Sequence, residues 1–340
     1  MLGYLEKLGK IGFVLSGGFM RGAFQVGALK TFEQSRVIPS YIVGTSVGAI
    51  NGAAFAAGKM EKLYATYQDI AKNPHRYVYR WNFFALLKAF FWSESLLANT
   101  PLRRVILDDM NVQDLAASPI KIDIITSDFQ SGEPVVFSNK KAEHQKTEIL
   151  ANALLASAAV PTVFPPFLFR GHQLFDGGVL EQAPLTHAIR EGCDTIFVIM
   201  NDRIDTVARD ELFRSIFAIG RRTAALIEWT TTKRTIKRAF ETNSDVDSYL
   251  ELKKQVIERV SASANGISAE TKAAIEKAFS ESALSIRSKR KVAIHILSPD
   301  LEGQKPHTSR VLDYKIIPHL LEQGERDAAL LLANLEKELV

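Results

Sequence analysis

The most constraining stretch of this chain is Gly44-Thr45-Ser46-Val47-Gly48, which follows a β-branched run at 41–43 and precedes a small-residue run at 49–57. A strand that enters a helix through so few residues must turn sharply. Glycines on both sides of the serine permit the strained backbone of such a turn and keep the serine oxygen exposed. The start of the helix also brings the positive end of its dipole near that oxygen. The pentapeptide reads as a nucleophile elbow; by itself it is equally a Ser/Gly turn ahead of an ordinary buried helix.

Short β-branched runs bounded by Gly, Pro, Asp or Ser recur at 10–16, 41–44, 120–126, 135–138, 195–200 and 292–297, and these read as strands. Helical patterns at 22–34 and 47–72 alternate with the early strands, which implies an α/β fold with a largely parallel, buried sheet. Beyond about residue 205 the spacing turns helical, at 212–240, 249–263 and 269–279. We divide the chain into a core at 1–205 and a helical extension at 206–340. Its one late strand can return to the main sheet, so the extension is expected to pack on the same domain.

At 340 residues and 46% hydrophobic composition the chain can bury a large core and is too apolar to be disordered. Its 42 basic and 38 acidic residues leave a formal charge of +4, compatible with anionic phospholipid as readily as with nucleic acid. Cys193 is the single cysteine, so no intramolecular disulfide forms and a reducing, cytoplasmic setting is expected. Residues 1–10 lack the apolar run of a secretion signal. Uncharged stretches at 41–58 and 149–169 are long enough to span a bilayer, but their Gly, Ala, Asn, Ser and Pro content suits a soluble core.

Two further loops carry potential chemistry. Ser16-Gly17-Gly18-Phe19-Met20-Arg21-Gly22 lies between a strand and a helix, where exposed N–H groups can bind a phosphate or the oxyanion of acyl transfer. Phe19 breaks the dinucleotide-binding G-x-G-x-x-G, and Ala23 and Phe24 stand where a phosphate-binding P-loop needs Lys and Ser/Thr. Asp176-Gly177-Gly178 follows a short apolar run and precedes Pro184, which suits the first turn of a helix. Taken alone, it is an ordinary Asp-Gly turn.

In order and spacing, the three loops resemble the patatin-like phospholipase family, as do residues 16–29 and 156–166, so the likeness covers about residues 10–200. The resemblance implies a three-layer α/β/α fold with a mostly parallel central sheet, followed here by the helical extension. It also implies a cofactor-free hydrolase that cleaves carboxylic esters of phospholipids or lysophospholipids. In that reading Ser46 is the nucleophile and Asp176 its base, without a histidine. The oxyanion hole falls at Gly17, Gly18, Phe19, Arg21 and Gly22, with N–H groups around the first three as donors and Arg21 helping to hold the loop, and Gly44, Gly48, Gly177 and Gly178 shape the motifs. The pairing is chemically coherent, because a serine hydroxyl needs an adjacent base and a desolvated carboxylate is a stronger one.

Two positions depart from the family pattern. Phe19 replaces a third glycine, which strains the loop if that position needs positive φ. Glu181 and Gln182 replace the asparagines that follow the Asp-Gly-Gly. An inactive lipid-surface binding protein on the same fold is therefore the alternative function. A histidine base is a further alternative: His172 precedes Asp176 by four residues, and Ser46, Asp176 and His295 follow the α/β-hydrolase order.

Trp81 to Trp92 is rich in aromatics and too short to span a bilayer; it reads as an interfacial docking patch or as a core helix or dimer face. Arg221, Arg222, Lys233, Arg234, Lys237 and Arg238 form a solvated helix face or an anionic-lipid contact. No zinc or EF-hand spacing occurs, so no metal is expected, nor a nucleic-acid partner.

Overall fold

The computed structural model describes residues 3–73, 103, 106, 113–161, 163–203, 212–214, 216–263, 268–281, 286, 289–301 and 314–339. Two compact units are distinguished: residues 1–232 with 294–340, and residues 233–293.

The first unit is built on a mixed sheet. After a short helix α1 (Gly3–Lys7), strands β1 (Ile11–Leu15) and β2 (Tyr41–Thr45) flank helix α2 (Gly22–Gln34), and β2 runs into helices α3 (Val47–Ala56) and α4 (Met60–Lys72). Helix α5 (Gln113–Ala117), strands β3 (Lys121–Asp128) and β4 (Pro134–Ser138) and helix α6 (Thr147–Ser157) follow. A hairpin of β5 (Phe167–Phe169) and β6 (His172–Asp176) leads to helix α7 (Leu185–Arg190) and strand β7 (Thr195–Ile199). The strand order is β5-β6-β3-β2-β1-β7-β8, where β8 is Ala293–Leu297, and β4 pairs with β3. The four central strands β3, β2, β1 and β7 run parallel; β4 and the β5–β6 hairpin are antiparallel.

Strands β1, β2 and β7 are buried along their whole length, which is why they read as unbroken apolar runs rather than as alternations. Successive residues of β1 face opposite layers. Phe13 meets Phe32 of α2 at 5.1 Å and Phe55 of α3 at 5.6 Å between ring centroids. Gly12, on the other side, lies against Ala188 of α7 and against Cys193. Helices therefore cover both faces of the sheet.

The helical pattern at 47–72 proves to be two helices. Gly58 adopts φ +67 between them, and the change of direction lets Met60 and Leu63 re-enter the core. The β5–β6 hairpin adds to the strands read from the sequence: Phe167–Phe169 is too short to show a period, and Arg170 and Gly171 make the turn with positive φ. The patterns at 212–240 and 249–263 belong to one helix, α8 (Ile216–Ser263), followed by α9 (Ala269–Glu281).

A last helix, α10 (Ile317–Leu339), packs along α2. Gly27 of α2 faces the Leu321 carbonyl and Gly324 of α10 faces the Phe24 carbonyl so closely that a Cβ on either glycine would overlap the partner backbone. Within the second unit, Asn243 Nδ2 donates to the Val292 carbonyl at 2.7 Å, and Lys291 pairs with Asp247 at 2.8 Å. Among the described residues no helix is long and apolar enough to cross a membrane.

Candidate active site

Strand register brings the serine and the aspartate together. Ile125 of β3 pairs with Thr45 of β2, and Thr126, the next residue, pairs with Asp176 of β6. At both positions β4 occupies the other edge of β3, through Val136 and Val135, so β2 and β6 lie end to end along one edge. The two strands run in opposite senses, and their C-terminal ends meet. Ser46 is the residue after one end, and Asp176 is the other.

Ser46 sits at φ 56 and ψ −129, a conformation that costs a non-glycine residue on the order of 1–3 kcal/mol. Its surroundings hold it there. The Ser46 N–H donates to Ser157 Oγ at 2.9 Å, and Ser157 Oγ donates to the Ile125 carbonyl at 2.6 Å, which ties the turn to β3 through α6. Gly48 lies so close to the Leu15 carbonyl that a Cβ would overlap it. A Cβ at Gly44 would come within 2.7 Å of the Ala49 backbone.

Ser46 and Asp176 are 7% and 6% exposed, and the Ser46 hydroxyl lies near enough to the Asp176 carboxyl to favour its ionised form. Asp176 Oδ1 also accepts the Gly178 N–H at 2.8 Å, capping the 3₁₀ turn Gly177–Val179. Its backbone is held on both sides: its N–H donates to the Ala159 carbonyl at 2.9 Å, and its carbonyl accepts Ser127 Oγ at 2.9 Å. Burial pushes the Asp176 carboxyl up to about 6, with the nearby Ser46 hydroxyl and the Gly178 N–H opposing it.

The glycine-rich loop rests on buried side chains. Ser16 Oγ accepts the Asn201 N–H at 2.9 Å, and the Ser16 carbonyl accepts Asn201 Nδ2 and Gln25 Nε2, each at 2.9 Å. Gln25 also donates to Ile199, and Asn51 Nδ2 links Gln25 Oε1 to the Gly22 carbonyl. Arg21 Nη1 pairs with Asp202 at 2.5 Å. A Cβ at Gly17 would come within 3.2 Å of Ser46 Cβ, so the loop passes directly over the serine.

The Gly17 N–H is taken by the Gln182 carbonyl at 3.3 Å. The N–H groups of Gly18 and Phe19 donate to no protein acceptor among the described residues. Phe19 has φ 53, so the aromatic side chain occupies a left-handed position that glycine would occupy without strain.

Glu181 and Gln182 hold the loop after Asp176 by other means than asparagine. Thr45 Oγ1 donates to the Glu181 carbonyl at 2.8 Å, Glu181 Oε2 is bonded to His187 at 2.8 Å, and the Gln182 amide lies against Gly17 and Gly178. A Cβ at Gly177 would overlap the Ile125 carbonyl, and one at Gly22 would meet the Tyr67 hydroxyl at 2.6 Å.

The histidines are engaged elsewhere. His172 Nδ1 is bonded to Asp128 at 2.8 Å, His187 to Glu181, and His295 stacks on Phe197 at 5.4 Å. Among the described residues no histidine is bonded to Ser46 or Asp176, and no group of three or more His, Cys, Asp or Glu is placed to hold a metal ion. Trp81 to Trp92 lies outside the described residues.

Sequence reasoning missed three residues of this site. Ser157 lies within the 156–166 block, but nothing local marks its hydroxyl as the partner of the Ser46 N–H. Asp202 and Glu228 follow no motif. Glu228, on α8, is pushed up to about 7 by burial, then by the neighbouring Asp176 and Asp202 charges, with Arg21 opposing.

The patatin-like phospholipase family model matches residues 13–189. The lysophospholipase nte1 of Aspergillus terreus is 26% identical over 195 residues, and the NTE1 lysophospholipase of Eremothecium gossypii 28% over 199; each match covers 57% of this chain and 12% of the relative. The chain thus spans about an eighth of the length of these relatives. An NTE-family protein of Mycobacterium bovis is 23% identical over 202 residues, 59% of this chain and 52% of that protein. Among solved structures, VipD from Legionella pneumophila matches 96% of this chain and 67% of its own, at 13% identity and a TM-score of 0.44.

Proposed function

This chain belongs to the patatin-like phospholipase family, and on that premise we propose that it hydrolyses carboxylic esters of phospholipids or lysophospholipids through an acyl-enzyme on Ser46. The observation that carries the reading is the strand register that sets Ser46 beside Asp176, whose buried carboxyl is pushed up to about 6. A carboxylate at its ordinary value is a poor base toward a hydroxyl; one raised by desolvation is better matched to neutral pH and still ionised there.

Asp176 accepts the Ser46 proton as Oγ attacks the ester carbonyl carbon. The carbonyl oxygen gains negative charge, and the unpaired Gly18 and Phe19 N–H groups above Ser46 are the donors for it. Collapse of the tetrahedral adduct breaks the ester C–O bond, and the departing alcohol takes the proton from Asp176. Water, deprotonated by the same carboxylate, then attacks the acyl-serine and releases the fatty acid. The lysophospholipase names of the fungal relatives favour single-chain lysolipids as a first substrate class.

Incubation with a fluorophosphonate, followed by peptide mass spectrometry, tests the activated serine. Adduct is expected on Ser46 alone and is lost in Ser46→Ala and in Asp176→Ala. Absence of adduct on folded protein would overturn the reading and leave a lipid-binding protein on the same fold.

A further inference from the structure

The part of α8 that carries Glu228 presents an apolar face to solvent. Counting about 100° per residue, Ile219 and Leu226 point away from Glu228, and Thr223, Thr230 and Ile227 complete an arc about 100° wide. Ile219, Leu226 and Ile227 are 51%, 38% and 58% exposed, and the arc holds no charged residue. Arg222 stands at its edge, with its guanidinium 6.0 Å from the Phe213 ring, and Arg214 is exposed just before the helix. Residues 212–232 contain three arginines and a single carboxylate, Glu228, which is on the inward side near Asp176.

We infer that this face docks the protein on an anionic phospholipid bilayer. Ile219, Leu226 and Ile227 enter the boundary between headgroups and acyl chains, while Arg214 and Arg222 lie at the phosphates. The charge pattern favours this occupant over a second copy of the chain, since two such faces packed together would oppose their arginine rims. A helix is about 10–12 Å across, so a bilayer on the outer face lies within that distance of the side that faces Asp176.

Docking goes beyond the hydrolase reading and needs no turnover, so binding is measured on Ser46→Ala protein. Phosphatidylcholine vesicles with and without phosphatidylglycerol serve as the probe, scored by cosedimentation. Binding is expected to strengthen with phosphatidylglycerol and weaken with salt. The Ile219→Glu/Ile227→Glu pair, added to Ser46→Ala, should reduce partitioning roughly tenfold or more. With Ser46 intact, the same pair should leave fluorophosphonate labelling unchanged.

Equal partitioning with and without the glutamates would overturn the inference, as would failure to bind anionic vesicles. So would a concentration-dependent dimer that the substitutions disperse. Lost labelling alongside glutamate-sensitive vesicle binding would overturn the hydrolase reading and leave the docking face standing.

Discussion

Replacing Asp176 by asparagine isolates the energetic consequence of burying that carboxyl, because the amide keeps the shape and the Oδ1 acceptor used by the Gly178 N–H. The carboxyl titrates at about 6 in the folded chain against 3.8 for the unperturbed group. Below 3.8 it is protonated in both states and contributes nothing to the pH dependence. As pH rises, the unfolded chain releases the proton first, so the folded state loses stability progressively until the carboxyl ionises near 6, and the loss is constant above that. The gap is worth about 3 kcal/mol at 1.36 kcal/mol per pH unit. Urea unfolding of both proteins at pH 4.5, 6 and 7.5 should therefore give Asp176→Asn an advantage that is small at the lowest pH and approaches about 3 kcal/mol at the highest. A difference that is independent of pH, or that shrinks as pH rises, would refute the claim that desolvation dominates at this site.

The rate of hydrolysis should rise with pH through about 6 as Asp176 ionises, with a second inflection near 7 from Glu228. Glu228→Gln should erase the second inflection while Ser46 still takes up fluorophosphonate; an unchanged profile would show that Glu228 does not influence the site. Phe19→Gly and Phe19→Ala both remove the ring, so the left-handed backbone at φ 53 should make the alanine protein less stable by about 1 kcal/mol, read as a midpoint difference in thermal unfolding. Equal stabilities would mean that the loop relaxes. Ser157→Ala strands the buried Ser46 N–H and the Ile125 carbonyl, and should cost about 1–3 kcal/mol in unfolding free energy, with a larger loss in kcat than change in KM. Wild-type stability and kcat would refute its role in holding the turn.

Local patterns were legible where the backbone requirement is itself local. Gly44 and Gly48 flank Ser46 because the tight turn leaves no room for a side chain, Gly44 lying against the start of α3 and Gly48 against the end of β1, a demand written into the pentapeptide. The helical spacing at 22–34 marked α2, and the runs of β1, β2 and β7 were readable because burial on both sides of the sheet excludes charged residues from them. A ring at Phe19, where glycine is usual, poses a question about φ that only the folded backbone answers, at 53. Gly58 escaped notice because one glycine within a helical spacing leaves the period unbroken.

By itself, the sequence determined that a strand must turn onto a helix at Ser46, that glycine loops follow one other strand and a short apolar run, and that an α/β core holds them. Tertiary structure alone decided that these loops converge. Ser46 and Asp176 are 130 residues apart in the chain, and they meet because Thr45 and Asp176 pair with consecutive residues of β3, a matter of strand order and register that no local pattern encodes. The approach of Glu228 to Asp176, and the docking of α10 on α2 through Gly27 and Gly324, are likewise long-range packing choices. They are selected by the burial of surfaces from distant segments, and so become visible only when the chain is folded.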